Sequence, residues 1–139
     1  MKLKVEQTRD IALCLALRHL VFIHEQGVSE VDEIDDLDEV SVHLVAWDGS
    51  KAVGTARLTI EREEAKIGRV CVLKARRGHG TGALLIREAL DVARAHKAKH
   101  GKLGAQIHAL AFYRSLGFEV VGDVYDDAGI PHRDMVCQL

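Results

Sequence analysis

The segment Arg77-Gly78-His79-Gly80-Thr81-Gly82 constrains this chain more than any other, because it joins an apolar run with strand character, Lys66 to Leu73, to a run with helical periodicity. In the helix, which the pattern carries from Gly80-Thr81-Gly82 to about His96, Leu85, Ala89, Leu90 and Ala93 recur at the spacing of one buried face. A strand that turns through glycines into an amphipathic helix needs a sheet around the strand and a helix packed on that sheet. The start of such a helix presents unpaired N–H groups and a partial positive charge, and glycine lets an anion approach the backbone. Lys74, Arg76 and Arg77 add cationic side chains nearby. Taken alone, the turn is equally well an ordinary solvated basic loop.

The rest of the chain supplies the sheet. Met1 to Glu6 alternates charged and apolar residues and reads as a strand rather than a signal peptide. Thr8 is placed to cap a helix running to about Gln26, with Leu13, Leu17, Leu20 and Val21 on or near one face and Gly27 as its stop. From Glu30 to Glu39 seven of ten residues are acidic, and Val31, Ile34 and Leu37 recur every three residues, which predicts a short acidic helix with an apolar stripe. Val42 to Trp47, Ala52 to Ile60 and Lys66 to Leu73 form an antiparallel meander, turned first at Asp48-Gly49 and then at Glu61-Arg62-Glu63-Glu64. Downstream the pattern gives a strand near Leu103 to Ile107 and a helix from about Ala109 to Leu116 ended by Gly117. Strands near Glu119 to Tyr125 and His132 to Gln138 follow. The order predicts an α/β fold with a mixed sheet and helices packed on it.

Several classes of function are disfavoured. The 139 residues contain no Pro/Ser linker or repeat, so a single domain is expected. A net charge of −2 supplies no broad cationic field, so no nucleic-acid partner is expected. The longest apolar run, Ile11 to Leu17, is seven residues, against the roughly 20 a membrane helix needs, so no membrane partner and a cytoplasmic location are expected. Cys14, Cys71 and Cys137 lie far apart without CxxC spacing and read as buried thiols. The acidic stretch lacks the Dx[DN]x[DN]G pattern and His24-Glu25 lacks the second His of HExxH, so no metal is expected. A P-loop would need Lys and then Ser or Thr after its last glycine, where Ala83 and Leu84 follow Gly82. A dinucleotide fold would carry GxGxxG at its first strand, whereas here the glycines are spaced GxGxG after four strands.

Val70-Cys71-Val72, followed after four residues by Arg77-Gly78-His79-Gly80-Thr81-Gly82, resembles the acetyl-CoA motif of the GNAT acetyltransferases, Q/R-x-x-G-x-G/A, with its preceding strand. Gln106-Ile107-His108-Ala109-Leu110-Ala111-Phe112-Tyr113, then Leu116-Gly117-Phe118, resembles the N-x-x-A-x-x-x-Y…GF segment of the same family, with Gln in place of the commoner Asn. Arg18 to Gln26, the acidic stretch through Asp36, His43, and Ala128-Gly129-Ile130-Pro131-His132 resemble the ElaA-like branch, so that the likeness covers nearly the whole chain. The resemblance implies one GNAT domain over residues 1–139, a mixed, mostly antiparallel central sheet with helices on both faces, and an N-acetyltransferase with acetyl-CoA as co-substrate. It also implies that the amides from Arg77 through Gly78, His79, Gly80 and Thr81 to Gly82 bind the CoA pyrophosphate. The backbone of Val70, Cys71 and Val72 holds the pantetheine arm and thioester on the same ground, and Gln106 belongs with the cofactor. It leaves the acceptor open.

Acetyl transfer to an amine needs a neutral nucleophile and a way to stabilise the departing thiolate. By resemblance Tyr113 supplies a phenol for the thiolate; the alternative is a packing residue on a short amphipathic helix. An alkylamine arrives protonated, its pKa being near the lysine value of about 10. Glu25, Asp36, His43, His108 and His132 can each accept a proton directly or through water, and the sequence does not choose among them. Glu25, Asp36, His43 and His132 are the candidate acceptor-binding residues, with Glu25 and the acidic segment able to attract a cationic acceptor. The partner expected is a small-molecule or peptide amine, and a homodimer is compatible with the sequence. Two competing readings stand beside the enzyme: a noncatalytic CoA-binding or sensory module on the same fold, and a nucleic-acid domain using the basic patch from Arg94 to Lys102.

Overall fold

The computed structural model describes residues 2–33 and 35–139. Eight strands form one sheet: β1 (Leu3–Thr8), β2 (Val42–Asp48), β3 (Lys51–Glu61), β4 (Glu64–Val72), β5 (His100–Gln106), β6 (Glu119–Val120), β7 (Tyr125–Asp127) and β8 (Ile130–Gln138). Their order is β1-β2-β3-β4-β5-β8-β6, with β7 also on β8. Every described pair is antiparallel except β4–β5, which is parallel because α3 (Thr81–Ala95) crosses over between them. The expected α/β architecture, mixed and mostly antiparallel, is the one observed.

Alternation along the strands puts a helix on each face. Leu44, Ala56, Leu58, Ile67, Leu103 and Met135 point toward Leu85, Ile86, Ala89, Leu90 and Ala93 of α3, and this layer is the main core. Val45, Thr55 and Cys71, buried between those positions, belong to the opposite face, where α1 (Ile11–Arg18) brings Cys14 and Leu17 against β3 and β4. All three cysteines are buried free thiols, and no helix among the described residues is long and apolar enough to cross a membrane.

Several expected boundaries shift. Thr8 does not cap the first helix: it still pairs with His43 in the β1–β2 ladder, and Asp10 caps instead, its Oδ1 accepting from the Leu13 N–H at 3.1 Å. The helix toward Gln26 is α-helical only through Arg18 and continues as a π-helix, His19–Glu25, before Gly27 (φ 72°) ends it. The acidic helix is reduced to one turn, α2 (Glu30–Glu33), and a 3-10 turn at Asp38–Val40. Its apolar stripe is not buried at Val31, which is 87% exposed, and Ile34 lies outside the described residues. The segment follows its acids instead, because Glu33, Asp35 and Asp38 are drawn to arginines of the α1 face. The strand expected at Glu119 to Tyr125 is two short strands, while β5 and β8 begin earlier than the pattern suggested, at His100 and Ile130. The last helix, α4 (Leu110–Ser115), is close to expectation.

Candidate functional site

The site begins where the sheet comes apart. The β4–β5 ladder consists of Glu64↔His100, Ala65↔Gly101 and Lys66↔Lys102 and then stops, although β4 continues to Val72 and β5 to Gln106. On their outer edges both strands stay paired, β4 with β3 through Val72 and β5 with β8 through Gln106. The inner edges from Ile67 and Leu103 onward diverge into a cleft of about 910 Å³. A bulge opposite Ala56 helps the divergence: the β3–β4 register slips between Thr55 and Arg57, and Arg69 takes φ 52°.

At the wide end of the cleft lies the glycine turn. Gly80 caps α3 in the left-handed region, φ 81°, and Gly78 shares that conformation at φ 83°. Leu84 makes the first bond of the helix, to the Gly80 carbonyl, so the N–H groups of Thr81, Gly82 and Ala83 precede the intrahelical ladder. A Cβ on Gly82 would meet Phe112 Cζ at 3.4 Å and narrow the passage between the turn and α4. The Thr81 hydroxyl is buried without a partner among the described residues. Arg77 turns back from the turn. Its Nε donates to the Val72 carbonyl at 3.0 Å and its two Nη atoms to the Glu25 carboxylate, both at 2.6 Å. The guanidinium bonds hold the Glu25 carboxyl below the usual carboxylate range. Glu25 is therefore engaged with the turn while it lines the cleft. Beside it Gln106 Nε2 donates to Gln26 Oε1 at 3.1 Å, so the end of the π-helix spans both diverging strands.

Tyr113 lines the cleft from α4, with its ring edge-on to Phe112 and Phe118 and no hydrogen bond to its hydroxyl among the described residues. Burial pushes its phenol up to about 12. The Cys71 thiol is likewise pushed up to about 12 by burial and stays protonated.

The other end of the cleft is walled by side chains. Arg18 bonds Glu33 and Asp38, Arg57 bonds Asp35 at 2.7 and 2.9 Å and Asp38 at 3.1 Å, and Arg69 bonds the Glu33 carbonyl at 2.9 Å and Asp35 at 3.2 Å. Three guanidiniums thus balance three carboxylates. Burial alone would raise Asp35 and Asp38, but bonds from Arg57 to the first and from Arg18 and Arg57 to the second hold both below their ordinary value. Across the cleft Tyr125 stacks on His132 with centroids 5.9 Å apart and donates its hydroxyl to Asp134 Oδ1 at 2.8 Å. His132 Nδ1 lies 2.7 Å from the Ile130 carbonyl. That contact requires the proton on Nδ1, so in the neutral imidazole the lone pair is on Nε2. Gly104, between these groups, has no room for a side chain, since a Cβ would overlap the Tyr125 hydroxyl.

Of the residues singled out from sequence, Val70, Cys71, Val72, Arg77, Gly78, Gly80, Thr81, Gly82, Gln106, His108, Tyr113, Glu25 and His132 all line this cleft. His79, Asp36 and His43 lie outside that lining: Asp36 is exposed, and His43 is buried with Nε2 2.7 Å from the Asp38 carbonyl. The sequence reading missed Tyr125, Asp134, Arg57, Arg69, Gly68 and Gly104. One usable signal was the Ala128-Gly129 turn, whose φ values of 52° and 81° are those of a tight hairpin and pair Tyr125 with His132. Among the described residues, no group of three or more His, Cys, Asp or Glu is disposed to hold a metal.

The acetyltransferase (GNAT) domain family matches residues 21–139. The uncharacterized N-acetyltransferase YjcF of Bacillus subtilis is 38% identical over 133 residues, which is 94% of this chain and 92% of that protein. The crystal structure of Escherichia coli ElaA has a TM-score of 0.87 at 31% identity and covers 99% of this chain and 100% of that one. An acyl-CoA N-acyltransferase from Pseudomonas aeruginosa has a TM-score of 0.84 at 32% identity, with 99% of each chain covered. A diverging β4–β5 pair, a glycine turn at a helix start and these likenesses over the full length lead to one assignment: the chain belongs to the GNAT acetyltransferases, in their ElaA-like branch.

Proposed function

We propose that this protein transfers the acetyl group of acetyl-CoA to a primary amine of a small-molecule or peptide acceptor by direct attack. The observation that carries the reading is the three-pair β4–β5 ladder, beyond which the inner backbone edge of β4 faces a cleft that runs to the glycine turn. The name of the Pseudomonas aeruginosa neighbour, an acyl-CoA N-acyltransferase, supports the same donor class.

Acetyl-CoA fits the residues present. Its pyrophosphate suits the turn, where Gly78, Gly80 and Gly82 leave the backbone uncovered and the N–H groups opening α3 have no intrahelical partner. The backbone of Val70, Cys71 and Val72 is the edge for the pantetheine arm, with Gln106 opposite. When bound, the thioester supplies an activated acyl group. The chain's own residues do the rest. Arg77, tied to Glu25 and to the Val72 carbonyl, fixes the turn against the strand. Tyr113, held in its neutral form by burial, donates a hydrogen bond to the sulfur as negative charge develops there. His132, with Nδ1–H committed to Ile130, offers Nε2 to the proton of the amine, directly or through water. Cys71, buried and protonated, is unsuited to carry the acetyl group, which favours direct attack.

The test is incubation with acetyl-CoA and a panel of primary amines, reading CoA release and the mass of the acetylated product. An increment of one acetyl on an amine is the expected result. Tight acetyl-CoA binding with no amine acetylated would overturn transfer and leave a CoA-binding module.

A further inference from the structure

Gly68 is a glycine that the fold itself does not require. It sits inside β4 with φ outside the left-handed region, and a Cβ built on it meets nothing within 4 Å. The positive φ of the nearby bulge is carried by Arg69 instead. The space a side chain would take belongs to the cleft; continuing the ladder register sets it against Gly104, so the β4 side is bare backbone while the β5 side lies under the Tyr125 hydroxyl. Directly behind this floor, at the last rung of the β4–β5 ladder, Lys66 pairs with Lys102. Both lysines line the cleft, with Thr59 beside Lys66 in the next strand. Like charges opposed across a ladder repel each other.

One carboxylate offsets part of this pair: Lys102 Nζ forms an ion pair with Asp134 Oδ2 at 3.9 Å, whereas Lys66 makes no ion pair among the described residues. The other Asp134 oxygen already accepts from Tyr125. Glu33, Asp35 and Asp38 are bonded to Arg18, Arg57 and Arg69. Asp32 and Asp127 also line the cleft, but from α2 and β7, which cover it, and not from the floor strands. With Lys66 and Lys102 set against the single carboxylate of Asp134, the floor at this end carries one positive charge in excess.

We infer that the acceptor is an amine bearing an oxyanion at its far end, lying over Gly68 with the oxyanion between Lys66 and Lys102. This inference rests on the acyl-transfer reading above. Lys66 is four residues before Val70, roughly 13 Å along a strand at about 3.3 Å per residue, so amine and oxyanion are several bonds apart. Carboxylate and phosphate share the required chemistry.

The experiment compares δ-aminovalerate, aminopentyl phosphate, pentylamine and cadaverine as acceptors, by kcat/KM for CoA release, in the native protein and in Lys66→Met/Lys102→Met. Either anionic amine should exceed pentylamine and cadaverine by about tenfold or more, the worth of one charge-assisted contact, and the better of the two identifies the oxyanion. That advantage should disappear in the double variant, with acetyl-CoA affinity reporting that the variant is folded. Gly68→Ala should lower kcat/KM for the anionic amine with little change in acetyl-CoA affinity. Equal rates for the four amines, a preference for cadaverine, or an anionic preference that survives the double substitution would overturn the inference. If none of the four releases CoA, transfer to amines of this length is what fails. Calorimetry of the two anionic amines on the CoA-loaded protein then decides the subsite separately: binding that the double variant weakens tenfold upholds it, and no binding overturns it.

Discussion

The end of the cleft proposed for the cofactor is made largely of backbone from one contiguous stretch, Val70 to Ala83, whereas the end proposed for the acceptor is lined by side chains from α2, β3, β4, β5, β7 and β8. The first needs only a strand, a glycine turn and a helix start, and tolerates change in most side chains. The second depends on Arg18, Arg57 and Arg69 finding Glu33, Asp35 and Asp38 across 15 to 36 residues of chain. On the proposed function, donor chemistry is fixed locally and acceptor chemistry by tertiary pairing.

The comparison breaks most visibly at Arg18, which is 1% exposed and bonded to both Glu33 and Asp38. Arg18→Met should cost about 3 kcal/mol of stability, because Glu33 and Asp38 each lose their shortest charged contact and keep only Arg69 and Arg57, and denaturant melts would measure it. Acid should probe the same network. Asp35 and Asp38 have folded-state values below their unfolded ones, so their contribution is fully present above about pH 4 and is lost as pH falls through the folded values. Stability that declines already between pH 7 and 5 would show that other groups dominate.

A change in the turn should have the opposite profile. Gly80→Val places a β-branched residue at φ 81° with open space around it, a strain of about 1–2 kcal/mol. Losing two amide contacts to an anion of about 1.5 kcal/mol each should weaken acetyl-CoA binding about 100-fold. Calorimetry giving unchanged affinity in a folded variant would remove the turn from the donor site.

Tyr113→Phe sharpens the boundary between the two ends. The ring still packs against Phe112 and Phe118, so stability should hold while single-turnover acetyl transfer slows by about 10- to 100-fold, the worth of one hydrogen bond to a developing charge. Equal rates would return Tyr113 to a packing role. The smallest effect is expected at exposed Asp36: Asp36→Asn should change stability by less than about 0.5 kcal/mol and leave acceptor ranking and its salt dependence as they were. A shifted ranking would restore the acidic segment as a steering element.

What could be read from sequence follows the same division. The meander, α3 and the turn were legible because each depends on neighbours within a few residues: alternation, a helical face, glycines at fixed offsets. The segment from Glu30 to Val40 was not, because the period-three spacing of Val31, Ile34 and Leu37 competes with charges whose partners lie elsewhere in the chain, and the charges prevailed. Thr8 was misassigned for a related reason: a good capping residue is extended here because His43 pairs with it. Glu25 and His43 could be named as chemically able groups, but whether a carboxylate meets Arg77 or an imidazole is buried under Asp38 is tertiary information. Gly68 carries no local signature at all, since its meaning lies in what is not packed against it.

The three-rung join between β4 and β5 also bears on how the protein persists in a cell. It is a short join in the middle of the sheet, and strands β5 to β8 hang from it and from the crossover helix. A molecule lodged between the two edges acts as a removable strand and favours the closed, folded population. By mass action that is worth about 2.7 kcal/mol when the ligand stands at a hundred times its dissociation constant. On the proposed function, that molecule is the acyl donor, so resistance to proteolysis should track its supply and the abundance of the protein should become a record of its own co-substrate.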